Sequence, residues 1–173
     1  MRLIKGFIFV LAGLFIMITL ISLLMPSKVM TVRAIVVHGD THFLISEIND
    51  LKKWKDWHPV FMSDSSKVTV SNPSAGVNAF ATWSTNDKQN KFLITESSAN
   101  HIKATLMRNG ENDVENIISI NPVNDSTAVQ VEWRVLTSLK WYPWEKFYGI
   151  FIDKLSGPGY EMALNNLKEL AEK

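Results

Sequence analysis

Twenty consecutive residues without a charge, Gly6 to Met25 (GFIFVLAGLFIMITLISLLM), constrain this chain more than any other feature. At a helical rise of ~1.5 Å per residue the run reaches about 30 Å, the thickness of a bilayer's hydrocarbon core. A buried core helix would carry a polar stripe, whereas this run offers only Thr19 and Ser22. A cleaved signal peptide has a shorter apolar region, roughly 7 to 15 residues, and a small-x-small cleavage site. Here the run closes on Leu23-Leu24-Met25-Pro26, and no cysteine is available for lipid attachment after cleavage. The reading is an uncleaved single-pass membrane anchor over residues 1–26, followed by one folded domain over residues 27–173. Arg2, Lys5 and the terminal amine slightly outweigh Lys28 and Arg33. That bias favours a cytoplasmic N-terminus and a folded domain on the non-cytoplasmic side of the cell membrane.

Composition narrows the class of partner. Of the 173 residues, 46% are hydrophobic and 20% charged, which suits a globular domain rather than a disordered chain. Leaving out Arg2 and Lys5 reduces the 18 basic side chains to 16, against 17 acidic ones, so the domain's net charge is −1. Its densest basic cluster, Lys52, Lys53 and Lys55, is broken by Asp50 and Asp56. A nucleic-acid binder needs a basic face, and none is readable here. The absence of cysteine leaves the redox compartment open.

Hydrophobic periodicity orders the domain. Residues 28–38 (KVMTVRAIVVH) are β-branched and read as a strand, with Gly39-Asp40 ending it and Asp40 capping a helix. Leu44, Ile45, Ile48 and Leu51 recur at helical spacing toward Trp54, and Pro59 closes the segment. Alternation then takes over. Val77, Ala79, Ala81 and Trp83 share one face; so do Ile102, Ala104 and Leu106, and again Val129, Val131, Trp133 and Val135. Turn clusters at 72–76, 85–88, 108–112 and 121–125 separate these runs, as in an antiparallel meander. Tyr160, Ala163, Leu164, Leu167, Leu170 and Ala171 form the apolar stripe of a closing helix. Gly157-Pro158-Gly159 is expected to part it from the aromatic stretch Trp141–Phe151. That stretch suits packing on the sheet, a lip over a cavity mouth, or contact with a membrane surface. A sheet with one polar face must cover the other, which gives an α+β fold with a curved antiparallel sheet wrapped around the last helix.

The segments ISEINDLKKWKDWHPV, AGVNAFATWS, VQVEWRV and FIDKLSGPGYEMALNNLKELAEK together resemble the SRPBCC superfamily. Within it they are similar to the polyketide cyclase/dehydrase and lipid-transport (START-like) group. The resemblance covers roughly residues 28–173. It implies a helix-grip fold with a cavity for apolar ligands, but no single reaction, and it carries no catalytic residue onto a numbered position here.

The residues themselves offer little catalytic chemistry. No serine stands in a nucleophile elbow, no glycine-rich phosphate loop is present, and His38 and His42 are separated by a helix-breaking Gly39-Asp40. No cofactor or metal is therefore expected. His58 and cavity carboxylates remain as acid/base candidates, although Glu132 alternates with Trp133 and so faces away from it. Trp54 and Trp57 either plug the core or turn one ring, Trp57, toward a ligand. The small residues beside Trp83 leave room for an apolar pocket of about 300 Å³ or more. Ala81, Trp83, Trp133 and Tyr160 are its expected lining, with Trp57 and His58 near the mouth. The leading expectation is a membrane-anchored domain that binds a hydrophobic small molecule or lipid without covalent chemistry. The alternatives are a cyclase- or dehydratase-type enzyme on an apolar substrate, and a structural or regulatory module whose core is filled.

Overall fold

The computed structural model describes residues 2–63, 67–85, 88–123 and 128–173. Its first helix, α1 (Arg2–Leu23), is long and apolar enough to cross a membrane and exposes nearly all its large side chains. Strand β1 (Lys28–His38) follows, then α2 (Thr41–Asn49), where Asp40 caps as expected by accepting a 3.0 Å hydrogen bond from the His42 amide. The helix stops at Asn49, short of Trp54, which lies instead in a 3-10 turn, Lys53–Asp56. Pro59 opens the short helix α3 (Pro59–Met62) rather than ending a segment, because proline's missing amide donor costs nothing at a first helical position.

Strands β2 (Thr69–Val70), β3 (Phe80–Thr85), β4 (Lys88–Ser97), β5 (His101–Arg108), β6 (Val114–Pro122) and β7 (Ala128–Ser138) complete one antiparallel sheet. Its order is β1-β7-β6-β5-β4-β3-β2, a meander in which the first strand returns to pair with the last. The expected turns at Asn86-Asp87 and Asn124-Asp125 lie outside the described residues. The inner face follows the predicted alternation: one row across the sheet runs Ala81, Phe92, Leu106, Val114, and another Ile102, Ile118, Trp133, Arg33. Val77 departs from it. Gly76 and Asn78 both take positive φ, 81° and 70°, so the chain turns there and leaves Val77 half exposed before β3 begins.

The last helix, α4, runs unbroken from Pro143 to Ala171, through the Gly-Pro-Gly expected to interrupt it. Pro158 forfeits one helical hydrogen bond, yet its exposed position spares it any clash with the sheet, and packing on both sides outweighs the loss. Gly157 faces β1, where a Cβ would overlap the Arg33 guanidinium. That guanidinium donates to both carboxylate oxygens of Asp153, at 3.0 and 3.2 Å, tying β1 to the helix. Leu164 and Leu167 are buried on the stripe facing the sheet, as predicted.

Candidate functional site

A cavity of about 300 Å³ lies between the sheet, the middle of α4 and the 58–61 segment. Its floor is sheet side chains, including Trp83, Phe92 and Trp133; its roof is Leu155, Ser156, Gly159 and Tyr160 of α4; and Trp54, His58 and Phe61 form one end. The rings touch one another: Trp133 and Tyr160 have centroids 5.0 Å apart, Trp54 and Phe61 5.3 Å, Phe61 and Trp83 5.9 Å. Such walls suit an apolar guest, since each ring can bury against it without leaving a polar group unpaired.

The polar groups of this wall are mostly already satisfied. Asn116 accepts from the Trp133 indole at 3.1 Å and donates to the Val114 carbonyl at 3.0 Å. His58 stacks on Trp54 at 5.0 Å, and its Nδ1 accepts from the Val60 amide at 3.2 Å, which leaves the neutral ring's proton on Nε2. Burial lowers the His58 pKa to about 3, so the ring is neutral at physiological pH. Burial likewise raises the Tyr160 hydroxyl above its ordinary value, outweighing the opposing effect of Arg108. Arg108 borders this cavity and also a wider groove of about 770 Å³ between α4 and the turn after β5, where it meets Glu111 at 3.5 Å.

The structure brings four of the expected site residues, His58, Trp83, Trp133 and Tyr160, into this one wall. Two are elsewhere. Trp57 is completely buried behind Trp54, its carbonyl accepting from Asn166 at 3.0 Å, and its indole N–H has no partner. Trp54 takes the place at the cavity, its own indole donating to the Ile48 carbonyl at 2.9 Å. The 3-10 turn, not a continued helix, sets this exchange. Ala81 is also completely buried and packs in the core below the cavity, whose wall at that row begins with its cross-strand partner Phe92. Arg108 and Asn116 were missed, although both continue an alternation, from Ile102, Ala104 and Leu106 and from Val114, that points them inward. Glu132 lies off the concave face, where Arg134 donates to its carboxylate. Among the described residues no group of three or more His, Cys, Asp or Glu is placed to hold a metal ion.

An antiparallel sheet gripping a long C-terminal helix around an apolar cavity defines the START-like helix-grip fold. No family model and no curated protein matches the sequence. Solved structures do match in fold. A START superfamily protein from Mycobacterium smegmatis superposes with a TM-score of 0.60 at 15% identity, over 83% of this chain and 97% of that one. A protein from Thermobifida fusca gives 0.63 at 15% identity, over 82% and 92%. DynU16, from the dynemicin biosynthetic locus, gives 0.57 at 8% identity, over 86% of this chain and 48% of the other. At such identities the likeness is one of fold.

Proposed function

We propose that this protein is a membrane-anchored binding domain for a hydrophobic small molecule or lipid, with residues 1–26 as anchor and residues 27–173 as the SRPBCC/START-like domain. The observation that carries the reading is the aromatic-walled cavity of about 300 Å³ between sheet and α4. The likeness to a START superfamily protein supports it at the level of fold. Arg108 at the seam with the wider groove favours a guest whose apolar body ends in a hydrogen-bond acceptor or an anionic group. The charge bias around α1 supports placing the domain on the non-cytoplasmic side. Proton-transfer catalysis gains little from His58, because a base of pKa about 3 is mostly unable to hold a proton near neutrality.

Bromine quenches tryptophan on contact, so a brominated fatty acid titrated into the 27–173 fragment should quench its emission saturably through Trp54, Trp83 and Trp133. Gly159→Leu should abolish that response: Gly159 lines the cavity and a Cβ there meets nothing within 4 Å, so the new side chain occupies the guest's space. Unsaturable quenching, equal in both proteins, would contradict the binding function.

A further inference from the structure

The first half of α4 is apolar on its outer face as well as its inner one. Trp144, Tyr148, Phe151 and Leu155, spaced four, three and four residues apart, are each more than half exposed. Side chains at that spacing form one stripe along a helix. Beyond Gly157 the outward positions turn mostly polar, with Glu161, Asn165 and Glu169 exposed around a single large exposed apolar side chain, Met162. Although Trp144 stacks on Tyr142 at 4.6 Å, so long an exposed apolar stripe marks an interaction surface.

Lys146 shows where the stripe lies. Although charged, it is only 3% exposed, and its ammonium donates to Ser27 Oγ at 2.7 Å, the Pro26 carbonyl at 3.2 Å and the Met25 carbonyl at 3.4 Å. These acceptors belong to the few residues that leave α1, so the first turns of α4 are pinned to the exit of the apolar helix. Tryptophan and tyrosine prefer the headgroup layer, and exposed Lys154 on the same half can reach phosphates from there. From Trp144 to Leu155 the stripe runs about 16 Å at helical rise. The headgroup layer is only roughly 5 to 7 Å thick on each side of the core, so covering the whole stripe requires α4 to lie along the membrane rather than stand on it.

We propose that the outer face of α4 between Trp144 and Leu155 is a second membrane contact, resting in the headgroup layer of the bilayer that α1 crosses. The proposal rests on the reading of α1 as a membrane span. The wider groove, bordered by Trp144, Tyr148 and Leu155, then opens at the lipid surface and gives an apolar guest a route that avoids water.

The natural chain has no cysteine, so single replacements in the full chain carry one fluorophore each. Phe15→Cys, Phe151→Cys and Glu169→Cys, with Tyr148→Cys as a second position on the stripe, are labelled with an environment-sensitive dye. They are then reconstituted into phosphatidylcholine vesicles containing nitroxide lipids. Label at position 15 should be quenched most by a nitroxide deep in the acyl chains, label at 151 and 148 most by one near the headgroup, and label at 169 by neither. Loss of quenching at 151 and 148, with position 15 still quenched, overturns the proposal and leaves the span intact. A label at those two positions that is shielded from water but not quenched by lipid also overturns it, in favour of a second protein copy. No quenching at position 15 overturns the span itself, and the proposal with it.

Discussion

The two halves of α4 are one continuous helix built to different rules. From Gly157 onward it is an ordinary amphipathic helix: Ala163, Leu164 and Leu167 are buried against the sheet and, Met162 apart, the exposed large side chains are charged or polar. From Pro143 to Ser156 the inward positions include Lys146, Gly149 and Ile152, while the outward ones are aromatic and aliphatic. The second half therefore packs as core, its Gly159 and Tyr160 sharing the cavity roof with Leu155 and Ser156, and the first half borders the wider groove while exposing an apolar outer surface. The proposed membrane contact lies where the pattern of a soluble helix fails.

Stability should separate the halves most sharply. Leu164→Ala and Leu167→Ala should each cost about 2 to 5 kcal/mol, the range for deleting a fully buried leucine. Phe151→Ala and Leu155→Ala, at exposed positions, should change denaturant stability by about 0.5 kcal/mol or less. Equal losses in the two halves would erase the distinction.

The pH dependence tests the end of the cavity formed by Trp54, His58 and Phe61. His58 has a folded pKa of about 3 against 6.5 for the free side chain, so the unfolded chain binds the extra proton between those values. Stability should be complete above pH 6.5 and fall by about 1.4 kcal/mol per unit at most as pH drops below it. Between pH 6.5 and 5 the carboxylates held low by ion pairs, Asp153 beside Arg33 and Glu96 beside Lys103 and His101, remain ionised and do not mask the slope. Chemical denaturation of wild type and His58→Gln across that window should show the slope only in wild type.

The two glycines flanking Pro158 offer a finer test. Gly159→Leu should raise stability by up to about 1 kcal/mol, since it gains helix propensity and meets no neighbour. Gly157→Ala should gain less, leaving stability within about 0.5 kcal/mol of wild type, because its Cβ displaces the Arg33 guanidinium and the weakened Asp153 pair offsets the propensity gain. Asp153→Asn should also have a small effect. Its carboxylate is about half exposed, so breaking the Arg33 pair should cost under about 1 kcal/mol in thermal melts.

Periodicity made most of this fold legible. The strands around Ile102 and Val131, the cap at Asp40 and the stripe at Leu164 and Leu167 each follow from local spacing. Where two local signals competed, spacing could not decide. Gly-Pro-Gly signals a break, but tertiary packing carried α4 through it. The W-x-x-W pattern places two rings together without saying which faces the cavity, and a 3-10 turn chose Trp54 over Trp57. Alternation put Ala81 on the correct face but could not show that the void begins at its neighbour Phe92.

Native mass spectrometry of the 27–173 fragment, produced without detergent as wild type and as Gly159→Leu, tests the central claim most directly. The account predicts a wild-type population carrying the added mass of an apolar small molecule or lipid, and a Gly159→Leu protein that is folded and empty. Wild-type protein that is folded but carries no such mass from any of several expression hosts would contradict it.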